Sequence, residues 1–479
     1  MGAALAVSAA SASASPTAYV VEGFPGTISP VDLGTGAVGS QIVLPDTNLG
    51  QEFSDWAIAL TPNGKTAYVS NEVDGAVIPV DTSTATVGTP IPVGGDPNGV
   101  AVTPDGSTVW VTTGSQIVPI DTADNTAGTA LTVPGGADGL AITPDGHIAY
   151  VSGSTSVTPV NLATRTVGTS IPVSGAGGLG VLNPIAVTPD GKTVYVINGS
   201  LPDPSSTAGV ISAVTPISTT TNTAGTPIAL YYPPGGDNGI AITPDGSTAE
   251  VADGEWESLT PVDLTTATSG SPTSIGLGLP GPLTVAITPD GKTAWTTNPD
   301  SDRIAPVDIA TGTAGNSIYL GPCNTVNESC EPAGIAITPD QGPTAAFTDT
   351  PAPAGSATSF DASGSSASQG TIARYAWSFG DGSTTTTTSP TVTHTYATAG
   401  TYTATLTVTD GDGCSTTVIY TGQMASCNGS CAAEASHAVT VASATGPTGP
   451  GHHRRHRHHH RPWPPRRPWP PHPRGPRWW

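Results

Sequence analysis

Gly99-Val-Ala-Val-Thr-Pro-Asp-Gly-Ser-Thr-Val-Trp-Val111, followed after a short turn by Ile117-Val-Pro-Ile-Asp121, is the stretch that decides the fold. Each apolar run is too short for a helix and rich in β-branched residues, so it reads as strand. Pro104 presets φ for a tight turn, Asp105 can bond the local backbone and Gly106 tolerates positive φ, so Thr-Pro-Asp-Gly predicts a hairpin corner. Second, third and fourth strands are expected at Val109–Thr112, Ile117–Asp121 and Ala130–Val133. The same wording recurs: Thr-Pro-(Asp/Asn) begins at Thr61, Thr103, Thr143, Thr188, Thr243, Thr288 and Thr338, in steps of 40 to 55 residues. That period fits a four-stranded antiparallel unit of propeller-blade size, which buries its faces only against neighbours.

Second strands number seven, from Ala18-Tyr19-Val20 to Ala294-Trp295-Thr296, and match the seven first strands. The chain opens on a second strand, and its last repeat stops after a first strand, Gly334 to Thr338. One blade shared between the two ends is therefore expected, with residues 18–44 supplying three strands and residues 334–338 the innermost. This leaves no open sheet edge between first and last repeat.

Gly64-Lys65-Thr66-Ala67-Tyr68-Val69-Ser70-Asn71 and Gly191-Lys192-Thr193-Val194-Tyr195-Val196-Ile197-Asn198 resemble the YVTN repeats of surface-layer and related seven-bladed propellers. The resemblance spans residues 17–341. It implies fold, since such propellers serve adhesion, scaffolding and catalysis.

From residue 342 the period stops. Tyr375-Ala376-Trp377-Ser378-Phe379-Gly380-Asp381-Gly382, His394-Thr395-Tyr396 and Gly400-Thr401-Tyr402-Thr403-Ala404-Thr405-Leu406-Thr407-Val408-Thr409-Asp410 resemble a PKD (polycystic kidney disease) domain. Tyr402, Ala404, Leu406 and Val408 alternate with threonines as on a half-buried strand, and Trp377 is the expected core aromatic of an immunoglobulin-like sandwich over residues 342–443. Residues 411–433 read as an irregular insertion. The expected class is thus all-β: a seven-bladed propeller, a β-sandwich and a tail.

Residues 1–16 resemble the end of a secretory signal with small residues before Pro16. No apolar run is long enough to span a bilayer. Residues 444–479 are expected to be a disordered tail; from His452 onward it holds only His, Arg, Pro, Trp and Gly, including eight of the chain's 14 Lys and Arg residues. The rest keeps six basic residues against 36 acids, a charge of −30. Such a body repels phosphate backbones, which argues against nucleic acid.

Of five cysteines, Cys323 and Cys330 flank one loop and are expected to form a local disulfide outside the cell; two of Cys414, Cys427 and Cys431 pair and one is left over. Cys414, Cys427 and Cys431 are only a loose match to zinc-ligand spacing.

Propeller ligands gather where loops enter the innermost strands. Five residues before the repeat threonines stand Trp56, Asn98, Asp138, Asn183 and Asn238, expected as a ring at one channel mouth, with Leu283 and Ala333 completing it. Trp256 and the acids Glu22, Glu52, Asp55, Asp237, Asp253 and Glu255 belong to loops of the same face. Amides, carboxylates and aromatics suit a glycan, a cation or a basic peptide, while Asn or Asp before Gly is also ordinary turn chemistry. No cofactor motif is present; calcium is the cation these acids suit, although Asp410-Gly411-Asp412-Gly413 lacks the later ligands of an EF-hand loop. The propeller has one histidine, His147, at a turn, and neither a phosphate loop nor a Gly-x-Ser-x-Gly elbow. The reading is a secreted or cell-surface, non-catalytic adhesion or recognition protein whose partner is a glycan, a protein or an envelope polymer. The alternatives are a metal-assisted propeller hydrolase or lyase and a structural envelope scaffold.

Overall fold

A computed structural model describes residues 15–23, 26–45, 56–173, 185–202, 210–230, 237–276, 284–321 and 331–444. Cys323, Cys330, Asn183, most of the leader and the tail from residue 445 lie outside the described residues. Seven five-stranded antiparallel sheets follow one another along the chain. Their innermost strands are Ile58–Leu60, Val100–Val102, Gly139–Ile142, Ile185–Val187, Asp237–Ile242, Val285–Ile287 and Pro332–Ile337. Each touches the next, and Pro332–Ile337 touches both Val285–Ile287 and Ile58–Leu60, so the ring is closed.

Closure follows the expected plan. Thr17–Glu22 pairs on one side with Thr27–Asp32 and on the other with Pro332–Ile337, through Ala18↔Ile337, Tyr19↔Ala336, Val20↔Ile335 and Val21↔Gly334. A blade built from both ends of the repeat array joins the first blade to the last.

The corners form as the turn chemistry dictates. Thr103 Oγ1 donates to Asp105 Oδ1 (2.5 Å), the Ser107 N–H donates to the same oxygen (3.0 Å) and Gly106 takes φ +72°. The outer edge differs from expectation. In place of one fourth strand, each blade has two short pieces, such as Thr126–Ala127 and Leu131–Ala137, both paired to the third strand.

The reason is the proline of each third strand. Pro30, Pro79, Pro119, Pro159, Pro216, Pro261 and Pro306 each lie opposite the second-strand position held by Tyr19, Tyr68, Trp110, Tyr150, Tyr195, Glu250 and Trp295. A glycine N–H from the outer segment reaches every one of these proline carbonyls, as in Gly128 to Pro119 O at 2.7 Å. Carbonyl and amide of one strand residue point to the same side, so the absent proline N–H also faces the outer strand, which breaks there. Only glycine fits at the break, since a Cβ on Gly88 would stand 2.9 Å from Pro79 Cγ.

The second-strand aromatics form a layer between blades. Tyr68 Oη donates to Asn125 Oδ1 (2.8 Å) and Tyr150 Oη to Asn222 Oδ1 (2.7 Å), each on the next blade. In the sixth second strand this position is Glu250, 2% exposed, and burial pushes its carboxyl up to about 8.

The sandwich packs a sheet of Thr348–Thr350, Ala357–Asp361 and Thr391–Thr395 on one of Thr384–Thr387, Ile372–Ser378, Gly400–Asp410 and Glu434–Val441. Trp377, 2% exposed, sits among Phe360, Phe379, Leu406 and Val439, as expected. The insertion at 411–433 is not irregular throughout. It contains a hairpin, Ile419–Tyr420 with Ala425–Cys427, and the Cys414–Cys427 disulfide ties its base. Cys431 is free and exposed. With two of its three sulfurs bonded to each other, the loose zinc set does not form.

Two outcomes follow. Deleting residues 15–22 removes the bridging strand and lowers stability by more than about 4 kcal/mol in a urea titration, whereas a change under about 0.5 kcal/mol would overturn closure. For Glu250 the folded state holds its proton more tightly than the unfolded chain, so no penalty exists below about pH 4, and stability is lost as pH rises toward 8. The loss is of order 3 kcal/mol at pH 7. Glu250→Gln therefore gains about 4 kcal/mol on wild type between pH 4 and pH 8, and a pH-independent difference would refute the assignment.

Candidate functional site

The two channel mouths are unlike. At the mouth where chain enters the innermost strands, hydroxyls at the ends of second strands clamp neighbouring blades. The Ala57 N–H donates to Ser70 Oγ (2.8 Å), which in turn donates to Asn98 O on the next blade (3.1 Å). Likewise the Gly99 N–H donates to Thr112 Oγ1 (2.7 Å), and Thr112 Oγ1 donates to Asp138 O (2.9 Å). Asn98 and Asp138 thus stand on adjacent blades at this mouth, as the register predicts. Small residues follow because the strands crowd: a Cβ on Gly99 would lie 3.1 Å from Thr112 Oγ1 and 3.2 Å from Asp138 O.

Side chains at this ring diverge. Asp138 is half-buried, and loss of solvent raises its carboxyl above the usual range. Asn98 Oδ1 is buried without a hydrogen-bond donor. Trp56 does not line the mouth: it is 1% exposed and packs with Tyr19, Val21, Ile58 and Leu60 between blades, because a large apolar ring gains more from the interblade core than from the channel. Asn238 begins the strand Asp237–Ile242 in the matching position, but its side chain, like Asn183, lies outside what is described.

The surrounding acids also separate into two kinds. Glu22 is not a surface group: it is 0% exposed and accepts from Thr27 Oγ1 (2.6 Å), Ser29 Oγ (2.6 Å) and Gln41 Nε2 (3.1 Å). Asp253, 2% exposed, accepts from the Glu255 and Trp256 N–H groups, both at 3.0 Å, and so shapes the turn that presents Trp256. Trp256 itself is 50% exposed. On the next blade, the Arg303 guanidinium lies 5.4 Å from the centre of the exposed Tyr319 ring.

The opposite mouth, at the Thr-Pro-Asp-Gly corners, is filled by the sandwich hairpin, which the sequence reading missed. The N–H groups of Val102, Ile142 and Val187, the last innermost-strand positions of three consecutive blades, donate to Gln423 O (3.0 Å), Gly422 O (2.7 Å) and Thr421 O (3.1 Å). Tyr420, fully buried, donates to Val102 O, and Gln423 Nε2 donates to Ile185 O. Met424 packs against the cluster of Leu60 and Ala336 across the mouth. At the tip, Gly422 has φ +123°, and an added Cβ would come within 2.9 Å of Ala141 Cβ, so glycine is required.

Under the hairpin lie Asp340 and Asp410, buried at 0% and 2% exposure, with carboxylate oxygens and Cys414 Sγ all within 4.8 Å. Cys414 is consumed by the disulfide, which leaves two carboxylates, fewer ligands than calcium takes. Burial, then the facing Asp340 carboxylate, push Asp410 up to about 7, and burial raises Asp340 as well.

Glu250 is the other strongly perturbed acid, but it is sealed between blades and offers no substrate a path to it. His147 is exposed at its corner, and its N–H donates to Asp145 Oδ1 (3.0 Å) as Ser107 does to Asp105. Among the described residues, then, no acid–base pair or metal cluster faces the mouth of Asn98 and Asp138.

Residues 340–423 match the PKD domain family. No curated protein sequence matches the chain. Among solved structures, hydrazine synthase of Kuenenia stuttgartiensis is similar at 21% identity and a TM-score of 0.52, covering 64% of this chain and 99% of that one. A functionally unknown protein from Desulfotomaculum acetoxidans DSM 771 is similar at 20% identity and a TM-score of 0.53, covering 67% and 99%. A candidate 6-phosphogluconolactonase of Bacteroides fragilis NCTC 9343 shares 17% identity at a TM-score of 0.50, covering 69% and 99%. At these identities the likeness is one of fold. The chain is a seven-bladed β-propeller joined to a PKD domain.

Proposed function

We propose that this protein is a non-catalytic recognition module that works outside the cell and holds a glycan at the propeller mouth of Asn98 and Asp138. The observation that carries the reading is the contrast between the mouths among the described residues: one is filled by the chain's own hairpin, and the other carries the half-buried Asp138 and the exposed Trp256 on one face. A sugar's hydroxyls can donate to the Asp138 carboxylate while its apolar face stacks on the indole. The loops of this face, by sequence, hold no histidine or lysine and one arginine, Arg303, so the face is acidic and favours neutral or cationic ligands over anionic ones. An extracellular setting is supported by the Cys414–Cys427 disulfide, since such bonds persist in oxidising compartments. No helix among the described residues is long and apolar enough to cross a membrane.

A glycan array followed by calorimetry on the best binder tests the proposal. Trp256→Ala and Asp138→Ala are each expected to weaken binding by about 1 to 3 kcal/mol, a factor of roughly 5 to 150, with the melting temperature held. Binding that ignores both substitutions removes this face from function. Hydrolysis of a sugar lactone above the buffer rate, abolished by Asp138→Ala, would replace the recognition reading with the enzymatic one.

A further inference from the structure

The buried carboxyl pair beneath the hairpin joins the aspartate of the seventh repeat to one from the sandwich, away from the mouth of Asn98 and Asp138. Asp340 is the aspartate of the seventh repeat, Thr338-Pro339-Asp340, where the chain runs on into the sandwich, and Asp410 ends the sandwich strand Gly400–Asp410 at an inward position of its alternation, where Ala404, Leu406 and Val408 precede it. Each brackets the base of the hairpin. The Asp340 N–H donates to Ser426 O (2.9 Å), and Asp340 O accepts from the Asn428 N–H (2.8 Å). Asp410 Oδ1 accepts from the Cys414 N–H (2.8 Å), and Cys414 is bonded to Cys427 on the return strand.

Of the outer carboxylate oxygens, Asp340 Oδ1 accepts from Ser368 Oγ (2.8 Å), while Asp340 Oδ2 and Asp410 Oδ2 have no other donor. The remaining charged groups do not offset the pair. Asp412, on the same turn, adds negative charge, and Lys292 of the neighbouring corner is already paired with Asp290 at 3.1 Å. Two carboxylates this close and this buried cannot both ionise at low cost, so one proton is shared between them.

We infer that Asp340 and Asp410 form a proton-shared latch, which keeps the hairpin seated in the propeller mouth under mildly acidic conditions and loosens it when both carboxyls ionise. The sign follows from the two states. Released into water, the carboxyls ionise near pH 4; seated, they hold a proton to higher pH. Seating is therefore strongest below about pH 4 and weakens steadily as pH rises, until Asp410 has ionised near 7. The step moves one proton to solvent, with no bond to carbon or sulfur changed.

Hydrogen exchange on the full chain tests this, with protection factors measured at pH 5 and pH 8.5 and corrected for intrinsic exchange. The amides of Val102, Ile142 and Val187, which donate to the hairpin, are expected to lose about tenfold or more of their protection at the higher pH, while the second-strand amide of Val111 keeps its own. Asp410→Asn, or Asp340→Asn if that variant does not fold, is expected to remove the difference. Equal protection of wild type at both pH values, a parallel loss at Val111, or a variant that keeps the pH response would each overturn the latch. So would millimolar calcium chloride restoring full protection at pH 8.5, since the pair would then be a cation site.

Discussion

Everything in this molecule depends on the antiparallel pairing of Thr17–Glu22 with Pro332–Ile337. Blades are held to one another by side-chain packing and a few hydroxyl clamps, none of which closes a ring alone. The terminal pairing uses backbone hydrogen bonds between segments more than 300 residues apart to turn a row of sheets into a closed one, as the Thr338 N–H to Thr17 O bond at 2.9 Å illustrates. Only in a closed ring do the seven innermost strands face a common channel. The mouth of Asn98 and Asp138 and the seat for the hairpin both follow from that.

Within each blade the constraint is local, which is why the sequence states it so clearly. A turn needs Pro, Asp or Asn, and Gly in fixed order, the second strand sets an aromatic opposite a proline in six of the seven blades, and the outer edge needs a glycine where that proline denies an N–H. These demands recur every blade and leave a period. Counting strands was enough to find the shared blade, because closure is a matter of arithmetic on complete and incomplete repeats. The split outer strand is harder to see, because it depends on the side of the third strand from which each proline's amide is absent.

The site was less legible, for physical reasons that differ by residue. Asn98 and Asp138 could be placed on adjacent blades from register alone, since backbone pairing fixes where each strand begins. Register does not fix which way a side chain turns, and Trp56 turned into the interblade core, as Glu22 turned onto Thr27 and Ser29. The hairpin left no periodic trace, and its partners Val102, Ile142 and Val187 use only backbone groups, which any sequence supplies. Three signals were nonetheless present: an aspartate at an inward strand position, two cysteines bracketing a short segment, and Tyr420 beside Gly422 in an otherwise polar insertion.

The seated hairpin also imposes an order on how the chain matures. During synthesis the seat needs three blades in their final arrangement, and that arrangement is completed only when the strand ending at Ile337 has emerged to pair with the strand at Ala18. The hairpin, some 80 residues later in the chain, docks last. A misassembled ring, with a blade skipped or the terminal strand unpaired, would offer Thr421, Gly422 and Gln423 no matching set of amides. Tyr420 and Met424 would then stay in water, so a chain whose ring is wrong marks itself with exposed apolar surface of the kind that chaperones and proteases engage.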